Sequence, residues 1–356
     1  MKATISTGMK KNILTSLLAL VLWVGLATAA SAADAGYTDV PEGHWAAESI
    51  EEATSLGIFN GVSEGRFGLG QPISRAEFVT ALVRFFGWEA VEAQRPTYAD
   101  VPAGVWYASA VETARANGAV AAAGRDFRPE EVVNRAEMAS MLLRSLGYTY
   151  LAGAASEYSV PFSDVTVNRG FITLAYDLGL MTGTAERRFD PEAPATREQA
   201  ATLLVRVHTQ LAQEAVRLND TSGWRTISIA VPMAQEDAEM PITPLEPLTE
   251  LYATLRRMKY NNGDMARAAL RLTAGGVQTV AGKDGMSSEV VAPSQVQAAL
   301  ALPDVNTYYS EQYESAYCIY YPAEGQRATL WYQSEKSMAA KLQLAKLFGV
   351  THYVLE

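Results

Sequence analysis

Between residues 36 and 212, apolar side chains recur three times at the three-and-four spacing of a helix with one buried face. The runs are Phe78, Val79, Leu82, Val83 and Phe86; Met138, Leu142 and Leu146; and Ala200, Leu203, Leu204 and Val207. A tetrapeptide with capping-box chemistry precedes each: Ser74-Arg75-Ala76-Glu77, Asn134-Arg135-Ala136-Glu137 and, more loosely, Thr196-Arg197-Glu198-Gln199. In such a box the Ser, Asn or Thr side chain covers an early helix amide, and the Glu or Gln three residues on reaches back to the cap. Helices are therefore predicted to start at 75, 135 and 197. A shorter helix is predicted ahead of the first two, carrying Trp45, Ile50 and Ala53, then Trp106, Val111 and Ala114, and stopping at Gly57 and Gly118.

The recurrence extends beyond the helices. Tyr37-Thr38-Asp39-Val40, Tyr98-Ala99-Asp100-Val101 and Phe162-Ser163-Asp164-Val165 open three units, and Phe67, Phe127 and Phe189 fall in the loop before each box. The box arginines are 60 and 62 residues apart and the aspartates 61 and 64. A unit of that size is too small to bury its own core. Three similar apolar faces are most simply satisfied by packing on one another about a pseudo-threefold axis.

Capping does not explain the arginines. A cation in the first turn of a helix opposes the macrodipole by roughly 0.3–1 kcal/mol. A helix N-terminus with an Arg fork beside it is suited to a carboxylate or phosphate, which suggests one anion-reading groove per unit; a structural ion pair is the alternative. Asp39, Asp100 and Asp164 read either as loop acceptors or as ligand contacts, and Trp45 and Trp106 as core or as platforms for a sugar ring. Gly57, Gly61, Gly118, Gly179 and Gly183 read first as backbone requirements.

The N-terminus carries Lys2, Lys10 and Lys11, an apolar run from Ile13 to about Leu26, and Ala30-Ser31-Ala32, the layout of a secretory signal peptide cut after Ala32. The run falls short of the roughly 18–20 residues of a membrane span, and no second stretch qualifies, so no span is expected after cleavage. Setting the three leader lysines aside leaves 26 basic against 39 acidic residues, a charge of −13. That surface repels nucleic acid, and any anion must be caught in local cationic pockets. The lone Cys318 cannot form an internal disulfide, and His44, His208 and His352 have no metal spacing. No cofactor is indicated.

The order of an aromatic-x-Asp-Val start, a Trp, a Gly-Ile-x-x-Gly loop, a Phe and an Arg-Ala-Glu helix start resembles the surface-layer homology (SLH) domain. The resemblance implies a helical, three-pronged fold that holds exported proteins to bacterial wall polysaccharide. It also implies that Arg75, Arg135 and Arg197 read an acidic, commonly pyruvylated, sugar of a secondary wall polymer. Repeat 1 keeps the pattern most fully and is the expected functional groove. Repeat 2 has Ala122 where a second glycine stands in repeat 1, and repeat 3 lacks the Trp, with Val167 or Phe171 near that place.

Beyond about residue 213 the pattern changes. Strands are predicted over 224–232, 316–321, 328–332 and 350–355, and helices over 248–258, 264–272 and 337–348, with Pro241, Pro244 and Pro247 in a loop. Strands alternating with helices argue α/β. Tyr317 to Tyr321, Leu330-Trp331-Tyr332, Ser337 to Leu342 and Phe348-Gly349-Val350 resemble the closing portion of a chitinase-like glycoside hydrolase family 18 barrel. That family's catalytic Asp-x-x-Asp-x-Asp-x-Glu run is missing from the sequence, and 144 residues are too few for the roughly 250 of an eight-stranded barrel. Glu236, Asp237 and Glu239 lie together in a loop, where acids are ordinarily solvated.

The expected architecture is mainly α: a signal peptide over 1–32, SLH repeats over 33–92, 93–152 and 153–212, and a smaller α/β domain over 213–356. The expected ligand-binding residues are Arg75, Arg135, Arg197, Asp39, Asp100, Asp164, Trp45, Trp106, Gly61 and Gly183, with no catalytic or metal-binding residue. The expected function is non-covalent anchoring at the bacterial cell surface through secondary wall polysaccharide or peptidoglycan. A wall-anchored glycosidase and a self-associating surface-lattice subunit are the competing readings.

Overall fold

A computed structural model describes residues 36–92, 96–120, 124–227, 247–261, 263–283 and 285–355. The leader, Ala122, the latter part of the 224–232 strand, Pro241, Pro244 and the Glu236–Glu239 acids lie outside the described residues. The chain divides into two units, 1–212 and 213–356.

The first unit is helical. Repeat 1 supplies α1 (Ala47–Ser55) and α2 (Arg75–Phe86), and repeat 2 supplies α3 (Ala108–Ala116) and α4 (Arg135–Ser145). After a short α5 (Thr149–Ala155), repeat 3 supplies α6 (Arg169–Asp177) and α7 (Arg197–Ala212). Both full capping boxes form: Ser74 and Asn134 each accept from the amide of the Glu three residues on, and Glu77 and Glu137 accept from the cap amides. The third is half made. The Thr196 amide donates to Gln199 Oε1 at 3.3 Å, but Thr196 Oγ1 is buried without a hydrogen-bond partner.

No repeat packs on itself alone. Helix α1 packs on α7, α2 on α3, and α4 on α6, so each pair joins the second helix of one repeat to the first helix of another. The residue before each cap closes a ring of backbone hydrogen bonds: Val133 donates to Ile73 (3.0 Å), Ile73 to Ala195 (3.0 Å) and Ala195 to Val133 (2.8 Å). All three side chains are fully buried, so this ring sits at the heart of the unit and ties three segments that are about sixty residues apart.

The second unit contains two sheets. A parallel sheet has the order β1 (Val216–Arg217), β9 (His352–Leu355), β3 (Ala268–Leu272), β2 (Arg225–Ile227). An antiparallel sheet has the order β5 (Gly285–Val291), β4 (Gly276–Gly282), β8 (Arg327–Tyr332), β7 (Ser315–Tyr320), β6 (Asn306–Ser310). Helices α8 (Leu248–Tyr260), α9 (Pro293–Leu300) and α10 (Glu335–Leu347) complete the unit. One face of the antiparallel sheet packs Cys318, Ala328 and Leu330 against Val296 and Ala299 of α9.

The helix expected over 264–272 is corrected. Only Met265–Arg267 is helical, as one 3-10 turn, and Ala268–Leu272 is strand β3. Ala and Leu favour helix locally, but this run lies between two parallel neighbours and is buried along nearly its whole length. A short continuous apolar run of that kind carries no period to separate strand from helix.

Candidate functional site

The box arginines are largely buried, at 8, 7 and 6% exposure for Arg75, Arg135 and Arg197. Each reaches into another repeat. Arg75 Nε donates to the Phe127 carbonyl at 2.8 Å, Arg135 Nε to that of Phe189 at 2.9 Å, and Arg197 Nε to that of Phe67 at 3.1 Å. The guanidinium carbons lie 5.1, 4.6 and 5.3 Å from the centres of the same three rings. Burial draws all three below the usual arginine range. Glu137 opposes that for Arg75, Glu77 for Arg197, and Asp190 with Asp164 for Arg135.

At the N-termini of α2 and α4 the first-turn amides are already engaged within the protein. The first amide of each helix is spent on another repeat: Arg75 donates to the Glu131 carbonyl at 2.9 Å, Arg135 to that of Ala193 at 3.0 Å and Arg197 to that of Gln71 at 3.0 Å. The next amides of α2 and α4 go to Pro129 and Pro191, and the caps take the third. With these donors satisfied in α2 and α4, an incoming anion there is left with the outer edge of the guanidinium.

The aspartates position that edge indirectly. Asp39 accepts the amides of Phe67 and Gly68, each at 2.8 Å. Asp100 accepts those of Phe127 (2.7 Å) and Arg128 (2.6 Å), and Asp164 those of Phe189 (2.9 Å) and Asp190 (2.8 Å). Each Phe residue thus gives its amide to an Asp and its carbonyl to an Arg, and the Asp fixes the loop against which the Arg lies. Trp45 and Trp106 are exposed, at 60 and 65%, and are not core residues. Gly61 and Gly183 are required for space: a Cβ on Gly183 would stand 2.6 Å from both the Arg188 carbonyl and the Phe162 ring, and one on Gly61 2.6 Å from the Arg66 carbonyl.

The three arginines differ at their outer nitrogens. Arg75 Nη1 pairs with Glu137 Oε1 and Arg197 Nη1 with Glu77 Oε1, both at 2.9 Å. Arg197 also donates Nη2 to the Asn60 carbonyl at 2.9 Å, and Arg135 donates Nη2 to that of Thr182 at 2.7 Å. Where Arg75 and Arg197 are each paired with a Glu, Arg135 shares a cavity lining with Gln199, and among the described residues it has no ion-pair partner.

A cavity of about 300 Å³ opens there. Arg135, Gln199, Arg206, Gly183, Thr202 and Trp45 contribute to its walls, and no acidic residue lines it. Arg206 is held by its Nη1 donating to the Leu180 carbonyl at 3.1 Å. An indole face, two guanidinium groups and an amide around one cavity fit a ring-shaped polar ligand that carries an anionic group. Gln199 and Arg206 were not among the expected site residues. Their signal was in the repeat: an Arg follows each box Arg by nine residues, at Arg84, Arg144 and Arg206, and Gln199 is the place where the box alone loses its acid.

Among the described residues no three His, Cys, Asp or Glu side chains gather as a metal site, and no described helix is long and apolar enough to cross a membrane.

The family model described as the S-layer homology domain matches residues 36–79, 97–139 and 161–201. An S-layer protein of Bacillus thuringiensis subsp. finitimus is 24% identical over 228 residues, 63% of this chain and 28% of that protein. The S-layer protein sap of Bacillus anthracis matches to the same extent. An amylopullulanase of Thermoanaerobacterium thermosulfurigenes is 29% identical over 177 residues, 48% of this chain and 9% of that enzyme. The chain therefore spans little more than a quarter of the S-layer relatives' length. Among solved structures, the Bacillus cereus spore cortex-lytic enzyme SleL aligns with a TM-score of 0.32 and 14% identity over 38% of this chain and 31% of that one.

Proposed function

We propose that the three S-layer homology domains carried by this chain hold it non-covalently to the bacterial cell wall, by binding an acidic, pyruvylated secondary wall polysaccharide. The observation that carries this reading is the cavity in which Trp45, Arg135 and Arg206 meet with no carboxylate in the lining, on a chain whose formal charge is −10. A strongly acidic protein repels acidic polymers at long range, so capture depends on such a pocket, where a guanidinium fork can take a carboxylate in two parallel hydrogen bonds. The aromatic face beside it gives a sugar ring an apolar surface to lie on.

The cyclic exchange of hydrogen bonds among the repeats supports a pseudo-threefold arrangement in which Arg75, Arg135 and Arg197 occupy related grooves. The C-terminal unit is the passenger held at the surface. The similarity to S-layer proteins favours a cell-surface location and makes self-association in a surface layer a reading to carry beside anchoring.

Titration with extracted wall polymer, before and after chemical reduction of its carboxyl groups, tests the proposal through tryptophan emission. The native polymer is expected to change the emission, the reduced polymer to do so far more weakly, and Trp45→Phe to remove most of the change. Equal responses to the native and reduced polymers would refute recognition of the acid.

A further inference from the structure

Strand β5 lies at one end of the antiparallel sheet, and among the described residues no strand pairs with its outer edge. Its inner edge is matched to β4 without a break from Gly276 and Val291 to Gly282 and Gly285, so no bulge turns the strand away. The devices that ordinarily protect such an edge are missing, since β5 holds no Pro, Lys or Arg. Its one charge, Glu289, is held over its own sheet, where it accepts from Gln278 Nε2 at 3.2 Å. Met286 and Val290 are exposed. They flank Ser288, whose hydroxyl lies 2.8 Å from Thr279 Oγ1, and all three stand on one face, because side chains two apart share a face.

We infer that this edge is a self-association surface: β5 pairs antiparallel with β5 of a second copy about a two-fold axis through Ser288, which joins two five-stranded sheets into one continuous sheet. The strand is its own best partner because its exposed face runs apolar, polar, apolar in either direction. With Ser288 on the axis, Met286 of each copy lies opposite Val290 of the other, Ser288 opposite Ser288, and Glu289 opposite Ser287. The exposed apolar side chains are then paired with one another, and no like charges meet. The registers two residues to either side put Glu289 opposite Glu289, or Met286 opposite Ser288. The other end of the sheet, β6, offers no such match, with its first three residues exposed and its last two half-buried. An interface of one strand from each copy is small beside the roughly 1,200–2,000 Å² of a stable complex. Pairing should therefore depend on concentration and be favoured among molecules held close together on one surface. The inference does not depend on the wall-polymer reading.

The test uses the full chain beyond the leader, residues 33–356. In sedimentation velocity the wild-type protein is expected to pass from monomer to dimer, with no larger species, as concentration rises from about 10 μM to about 1 mM. Cysteine cross-linking then locates the axis. Opposed residues of an antiparallel pair have Cα atoms about 4.5–5.5 Å apart, within disulfide reach, and the native Cys318 is buried. Under mild oxidation Ser288→Cys should form covalent dimers at least about tenfold faster than Ser287→Cys, whose counterpart across the axis is Glu289. Met286→Cys mixed with Val290→Cys should cross-link as the mixed pair, and neither with itself. A wild-type protein that stays monomeric throughout, one that grows into open-ended polymers, or equal cross-linking at positions 287 and 288 would overturn the pairing.

Discussion

Arg75 and Glu137, 62 residues apart, meet with Nη1 and Oε1 2.9 Å apart across the boundary between repeats 1 and 2. The same Glu137 accepts the Asn134 amide at 3.1 Å, so one carboxylate caps its own helix and neutralises a neighbour's cation. Substitutions separate these two uses. Glu137→Ala removes both and should cost about 1–3 kcal/mol. Glu137→Gln keeps the cap, as Gln199 does in repeat 3, and should cost under about 1 kcal/mol, since the pair is partly open to water with the Glu side chain 26% exposed. Urea unfolding followed at the helical dichroism band measures both; equal losses would show that the cap contributes nothing.

Gly183→Ala should destabilise the repeat unit by about 1–3 kcal/mol, because the new methyl overlaps a carbonyl and a ring, and the 182–188 loop must shift. The Thr182 carbonyl that holds Arg135 moves with that loop, so ligand binding should fall as well. Gly153→Ala is the opposite case: it lies in α5 with nothing within 4 Å of the added Cβ, and should stabilise by about 0.5–1 kcal/mol. Melting curves of the two variants should shift in opposite directions.

Acid should loosen the repeat unit through its aspartates. The Phe189 amide, then that of Asp190, holds Asp164 below the usual carboxylate range. For Asp39, burial pulls upward, but the amides of Phe67, Gly68 and Leu69 outweigh it. A lowered folded pKa gives stability that is present above the unfolded value near 3.8 and is lost as pH falls through the folded one. Glu314 has the opposite sign. Burial pushes its carboxyl up, against the Tyr309 hydroxyl and Lys336, so its contribution is full below about 4.5 and is lost as pH rises through the raised value. Melting temperature against pH should flatten on the acid side in Asp164→Asn and, above the unfolded Glu value, in Glu314→Gln.

Cys318 should be inert while the protein is folded. It is fully buried, and burial pushes its thiol up to about 11, so thiolate is scarce at neutral pH. A thiol-specific reagent should label it slowly in buffer and rapidly in denaturing urea. Rapid labelling of the folded protein would contradict its place in the sheet core.

What the sequence made legible follows from the range of each interaction. Ser74 with Glu77 and Asn134 with Glu137 act within one helical turn, so the spacing alone located both helix starts. The period placed Phe67, Phe127 and Phe189 as equivalents, but not their use: each carbonyl receives an Arg 52, 54 or 130 residues away. The same distance hid the loss of the Arg135 counter-ion, which becomes visible only when Gln199 is set in the cavity that Arg135 also lines. In the second unit, β7, β8 and α10 carried readable patterns, whereas Ala268–Leu272 is a strand because its neighbours make it one. The hairpin of β4 and β5 escaped because β5 is mostly exposed, with Ser287, Ser288 and Glu289 at its centre offering no apolar alternation.

Wall docking is tested most directly by sedimentation with purified bacterial sacculi, before and after extraction of the secondary polymer. The protein should pellet with sacculi that retain the polymer and stay in solution with extracted ones. Equal pelleting with stripped peptidoglycan, or none with either, would contradict binding through the polymer.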